Sequence, residues 1–256
     1  MSCRQHERRT DLKAFRISAD WLPLVLTVVG ILSAPGVHAQ GRTNIWEVPL
    51  GTLATELPPE FMITACGTNG GPPSTPLRGF HQFEQCTAEP ESGLHEVWFS
   101  FDDEYEYYLR ATNAHRFVIE DNRANKLLGQ LVVYSILLDA EGLVQGHRIA
   151  SDTREDPAVR VDSDTLEALK VFGYGAAGWE CSDLPRLEGE MPFGGTYVKR
   201  LCEKVDGGRY ITILTHRFLR AGQQAARPGA PLANEFEVGV WIELINADLV
   251  GKGAPN

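Results

Sequence analysis

Two stretches open like motifs of established chemistry and stop short of completing them. His95-Glu96-Val97-Trp98-Phe99 begins as the zinc-protease sequence His-Glu-x-x-His does, but Phe99 stands where the second ligand belongs. That motif also needs a helix to bring positions i and i+4 onto one face, and this stretch has strand character. Gly173-Tyr174-Gly175-Ala176-Ala177-Gly178 spells Gly-x-Gly-x-x-Gly. A dinucleotide fingerprint sits between a strand and a helix N-terminus, whose N–H groups meet the pyrophosphate. Here a helical pattern precedes the glycines, so they read as a helix stop and a turn. Gly-x-Ser-x-Gly is absent, which leaves a nucleophile elbow without support.

Carboxylates are the other chemical resource. Asp102, Asp103, Glu104 and Glu106 form one acidic cluster; Asp152, Glu155, Asp156, Asp162 and Asp164 form a second. Hard cations take clustered carboxylates, yet neither cluster has the Asp-x-Asp-x-Asp-Gly order of a calcium loop, and both read as solvated connections. His147, Asp152 and a serine make a triad only on paper, because no spacing selects them. Paired carboxylates for glycoside hydrolysis come from distant parts of a chain, and nothing here points to a pair. The sequence therefore names no catalytic residue, no cofactor and no metal ligand. Trp98, Tyr105, Tyr107, Tyr108, Tyr134 and Tyr174 carry rings with a polar handle, which serve carbohydrate and peptide faces as well as cores. Most are expected to pack within a sheet.

The cysteines carry the firmest inference. Beyond residue 39 there are four, in matched spans: Cys66 to Cys86 and Cys181 to Cys202. Pro76-Leu77-Arg78-Gly79 precedes Cys86 at the interval at which Pro192-Phe193-Gly194-Gly195 precedes Cys202. Leu-Arg-Ala follows at 109–111 and at 219–221. An even count in an exported chain means disulfides. Four cysteines permit three connectivities, and the repeat favours Cys66–Cys86 with Cys181–Cys202, one bridge in each of two related halves. No ligand spacing for zinc and no Cys-x-x-Cys pair is present.

Export is read from the N-terminus. Arg4, Arg8, Arg9, Lys13 and Arg16 supply a basic region, Leu22 to Ala34 an apolar run, and Val37-His38-Ala39 small residues at a cleavage site after Ala39. Residues 1–39 are thus expected to be a signal peptide and the product periplasmic or secreted. The remainder has 19 basic and 31 acidic residues. That sign repels phosphate backbones and anionic lipid, so nucleic acid is excluded as a partner, as is membrane beyond the signal segment.

The elements that must position these residues are mostly strands. An irregular lead-in over 40–65 and a Gly/Pro-rich excursion over 67–79 come first. Glu96–Phe101 and Tyr105–Arg110 are expected to form a hairpin about Asp102-Asp103-Glu104. Leu131–Leu138 and Leu143–Ala150 form another about Asp139-Ala140-Glu141-Gly142, with Gly in the last position of a type I turn. Val132, Tyr134, Ile136 and Leu138 would face one way, and Leu131, Val133, Ser135 and Leu137 the other. Asp152–Asp162 is an exposed connection. Asp164-Thr165-Leu166-Glu167 is a capping box for a short helix over 164–172. Tyr210–Leu219 is a strand, 221–233 a linker, and Phe236–Ile245 alternates cleanly.

The resulting expectation is an α+β protein, mainly antiparallel β-sheet with one short helix near 164–172. Its first half is 40–151 and its second 152–256, which together can form one continuous domain. The expected function is a non-enzymatic binding or envelope-associated module for an extracytoplasmic ligand or protein. The alternative is an extracytoplasmic hydrolase using carboxylates on polysaccharide or peptide.

Overall fold

The computed structural model describes residues 42–154, 165–193, 195–220 and 237–250. The segment expected to be a signal peptide, most of the second acidic cluster and the expected 221–233 linker lie outside the described residues. The strands are β1 (Phe61–Cys66), β2 (Pro76–Leu77), β3 (His95–Phe101), β4 (Lys126–Leu127) and β5 (Gln130–Leu138). There follow β6 (Val144–Ser151), β7 (Glu180–Asp183), β8 (Val198–Asp206), β9 (Arg209–Phe218) and β10 (Glu237–Asn246). All ten join one sheet in the order β2-β1-β3-β5-β6-β10-β9-β8-β7, with β4 on β5, and every described pairing is antiparallel. Helices are few and short: α1 (Glu104–Ala111), α2 (Arg116–Asp121), α3 (Leu169–Phe172) and single 3-10 turns. The fold is mostly antiparallel β, and the single expected helix becomes three α-helices among the described residues.

Register explains the core. Phe99, Tyr134, Ile149, Ile242, Ile213 and Cys202 lie directly opposite one another across β3, β5, β6, β10, β9 and β8, so they form one row on one face. Rings fill the first half of that face: Phe61 stacks on Phe99 at 4.0 Å, and Phe99 on Tyr134 at 5.5 Å. The buried residues Ile45, Ala54, Phe80 and Phe83 of the 3-10 turns, with Leu166, Leu169 and Tyr174, cover it. Fully burying one such apolar side chain contributes roughly 1.5–3 kcal/mol. The Leu131–Ala150 hairpin has the expected faces, with Val132, Tyr134, Ile136 and Leu138 in the main core and Val133 in a smaller cluster with Ala65 and Trp98.

One expected hairpin is overturned. Glu96–Phe101 is a strand, but its partner 105–110 is helix α1. The Asp102 carboxylate accepts the N–H of Glu104 at 2.8 Å, Glu106 pairs with Arg110 one turn on at 2.7 Å, and Asn113, just past the helix, has φ 52°. Acidic residues in the first turn and Arg110 in the last suit the helix dipole. The aromatic content that suggested a strand belongs to exposed rings, since Leu109 is the buried residue of α1. The irregular lead-in likewise holds β1, and β7 and β8 arise where no strand was expected.

Both disulfides pair as expected, Cys66–Cys86 and Cys181–Cys202. The tripeptides after them fall in unlike places: Leu109–Ala111 in α1, and Leu219 just past β9. Asp152 is buried rather than exposed, because Arg154 folds back on it.

Candidate functional site

The second face of the sheet holds the densest group of charges. Trp98, Ser135, Arg148, Glu243 and Thr212 lie opposite one another in a row across β3, β5, β6, β10 and β9. Arg148 is buried and gathers three glutamates. Its Nε donates to Glu243 Oε2 at 2.5 Å, its Nη1 lies 3.2 Å from Glu96 Oε2, and both terminal nitrogens donate to Glu89 in a fork. The guanidinium also sits 5.6 Å from the Trp241 ring.

Two loops supply the lid over this row. Residues 67–71 leave β1 beside Glu96, whose carboxylate accepts the N–H of Asn69 and, at 3.0 Å, that of Gly70. Gly70 has φ 71°, and a Cβ there would meet Trp241 Nε1 at 2.9 Å, so the close approach requires glycine. The second loop brings Glu89, steadied by the Ser92 hydroxyl at 2.8 Å. Cys66–Cys86 ties the two loops together at their base. Sequence reasoning missed this cluster because its cation is 59 positions from Glu89 and 95 from Glu243.

The electrostatics follow from crowding. Burial pushes the Glu89 carboxyl up, but the hydrogen bonds and charge of Arg148 outweigh it and hold the group below its usual range. Glu243 has one contact with the guanidinium; burial, with the nearby charges of Glu89 and Glu96, leaves its carboxyl above the usual range despite Arg148. One cation among three carboxylates thus makes an internal clamp rather than a set of free acids.

The other sequence candidates are separate from this row or absorbed into packing. His147 is wholly buried on the core face, and its Nε2 lies 3.0 Å from the Tyr174 hydroxyl. Burial, with a smaller contribution from Arg209, lowers its pKa to about 3, so it is neutral. The Gly173–Gly178 segment is the turn that delivers Tyr174 to His147. It is fastened further by Lys204, whose ammonium donates to the Tyr174 carbonyl at 2.6 Å, and by Trp179 Nε1, which donates to the Gly175 carbonyl at 2.9 Å. Asp152 is held by Arg154 Nη2 at 2.6 Å. Burial pushes its carboxyl up, and the Arg154 hydrogen bonds bring it below the usual range. His95, Glu96 and Phe99 lie on β3, with His95 Nδ1 2.6 Å from the Cys86 carbonyl.

Of the aromatic candidates, Trp98, Tyr134 and Tyr174 are buried, whereas Tyr105, Tyr107 and Tyr108 are exposed on α1 and Phe117 is exposed on α2. A depression of about 350 Å³ lies elsewhere, lined by Glu167, Arg200 and Thr215 among others and by no member of the Arg148 cluster. Among the described residues no group of three or more His, Cys, Asp or Glu could hold a metal ion, and no helix is long and apolar enough to cross a membrane. The chain matches no family model, no curated protein and no solved structure.

Proposed function

We propose that the protein is an exported, non-enzymatic binding module that engages a partner protein outside the cytoplasm through the helical excursion between β3 and β5. The observation that carries this reading is the exposure of Tyr105, Tyr107, Tyr108 and Phe117 at 59, 72, 59 and 62 %. Tyr105 and Tyr107 are two positions apart on a helix, so their side chains leave it about 200° apart. A flat sugar face would cover one ring; a protein groove that embraces the helix covers both. Tyrosine offers a large contact area for little lost side-chain entropy, which suits the centre of an interface. Two disulfides, an acidic surface and the basic-then-apolar N-terminus support a location outside the cytoplasm.

The sheet order also supports a duplicated origin. β1-β3-β5-β6 and β7-β8-β9-β10 are each consecutive meanders, joined through their last strands, and each has a disulfide at its outer strand. The hydrolase alternative rests on the raised Glu243 carboxyl. It is the weaker reading because Arg148 occupies the space between the carboxylates.

The test places a photoreactive phenylalanine analogue at Tyr107 in the native host. Cross-linking to one discrete protein is expected, with none from the same group at the exposed turn residue Glu141. With that partner purified, Y105S/Y107S/Y108S should weaken binding tenfold or more, given roughly 1 kcal/mol or more for each central aromatic side chain. Cross-links to glycan alone, or an unchanged affinity in the triple variant, would refute the reading.

A further inference from the structure

The two ends of the sheet are finished differently. β2 closes one end with two residues, and its Pro76 has no N–H to offer a further strand. β7 closes the other with four residues, all exposed, and none is proline. Among the described residues β7 pairs with β8 alone. Burial contributes nothing to holding it. The Cys181–Cys202 bridge does so, joining residues that stand directly opposite with Cα atoms 4.0 Å apart.

The register shows which backbone groups are free. The Leu184 N–H donates to the Lys199 carbonyl at 2.7 Å, at the position that continues the β7–β8 ladder. In an antiparallel ladder alternate residues turn their N–H and C=O toward the partner. The groups of Glu180 and Ser182 therefore face β8, and those of Cys181 and Asp183 face outward. The charges on this edge are acidic. Glu180 stands directly opposite Glu203, an unfavourable like-charge pair. Glu203 receives the Tyr210 hydroxyl, and the same row continues through Thr212 to Glu243. Asp183 projects to the other face, 3.0 Å from Arg200.

We infer that β7 is a docking edge for an extended basic segment of a partner protein, added as an antiparallel strand. Its backbone pairs with Cys181 and Asp183. The partner residues opposite Glu180 and Asp183 lie three positions apart, so the edge selects Lys or Arg at i and i+3. A second copy of the chain is opposed by charge, because it brings a second Glu180 and a second Asp183 to the same edge and no added cation. Such acidic edges oppose self-association while leaving the ladder open to a cationic strand. This surface is separate from α1, and the inference does not rest on the function proposed for that helix.

The test is amide exchange by NMR on the full oxidised protein, with the synthetic peptide Thr-Lys-Val-Thr-Lys-Val and its counterpart carrying Glu for Lys. With the lysine peptide, exchange at Cys181 and Asp183 should slow at least tenfold while Glu180 and Ser182 change little. The glutamate peptide should have no effect. E180K, at an exposed site where the folded spectrum is retained, should weaken the lysine peptide at least fivefold. Y105S/Y107S/Y108S should bind it unchanged. Three results would each overturn the inference: no protection at Cys181 and Asp183, equal protection by both peptides, or protection without peptide that grows with protein concentration.

Discussion

Replacing Arg148 by methionine keeps the length of the side chain and removes the cation from the centre of the second face. Glu89, Glu96 and Glu243 then face one another with only backbone N–H groups and the Ser92 hydroxyl as donors. Breaking a buried ion pair from one side costs about 3–5 kcal/mol. With a urea slope of roughly 2–3 kcal/mol per molar for a chain this size, the midpoint should fall by about 1–2.5 M at pH 7. The pH dependence is the sharper test. In the native protein Glu89 is held below its usual range, so its contribution is fully present above the unfolded pKa and is lost as pH falls through the lower folded value. In R148M the lowering influence is gone and burial pushes the Glu89 and Glu243 carboxyls up, so the folded state binds protons more readily than the unfolded one. The variant's deficit should therefore be largest at neutral pH and shrink as pH falls toward 4.5. Equilibrium urea unfolding at pH 7, 6 and 4.5 reads both quantities, and R148M/E243Q should recover part of the loss at pH 7. A deficit under about 1 kcal/mol at pH 7, or one that is the same at every pH, would refute the clamp.

Three further outcomes are expected. Y174F leaves His147 without its partner in a wholly buried setting and should cost about 1–3 kcal/mol in denaturant unfolding. His147, with a folded pKa of about 3, should stay neutral by NMR titration from pH 8 to pH 4. Because its unfolded pKa is near 6.5, its contribution is full above that value and is lost as pH falls toward 3; H147M should flatten this part of the stability profile. C181S/C202S opens a loop of 21 residues and should cost about 3 kcal/mol in the chain-entropy description, with amide exchange accelerating first in β7.

The parts of the fold legible in the sequence are those where polarity alternates along one strand. β5, β6, β9 and β10 were readable because one face is continuously apolar. β8 was not, since Lys204 and Arg200 occupy core-side positions; Lys204 is accommodated there by the carbonyls of Tyr174 and Gly175, a partnership that composition does not reveal. α1 had a signal that went unused: Asp103, Glu106 and Arg110 have the spacing of a helix start followed by an ion pair one turn on. The disulfides were legible because cysteine number and compartment constrain them. The Arg148 cluster was not, because its four members come from four strands or loops and meet only through register.

The seam between β6 and β10 bears on how the chain reaches this state. Short turns join β5 to β6 and β8 to β9, whereas Gln145 and Asn246 meet across 101 positions. Closing a loop of that size is slow compared with forming hairpins, so each meander can assemble before the seam does. During that interval β6 presents a long, nearly all-buried strand whose edge away from β5 is unpaired, the kind of surface on which unfinished chains adhere to one another. The strand that ends this exposure, β10, is the last of the ten to be made. Folding yield should therefore depend less on overall stability than on how quickly β10 reaches β6, which makes the seam the step at which a holding chaperone would act.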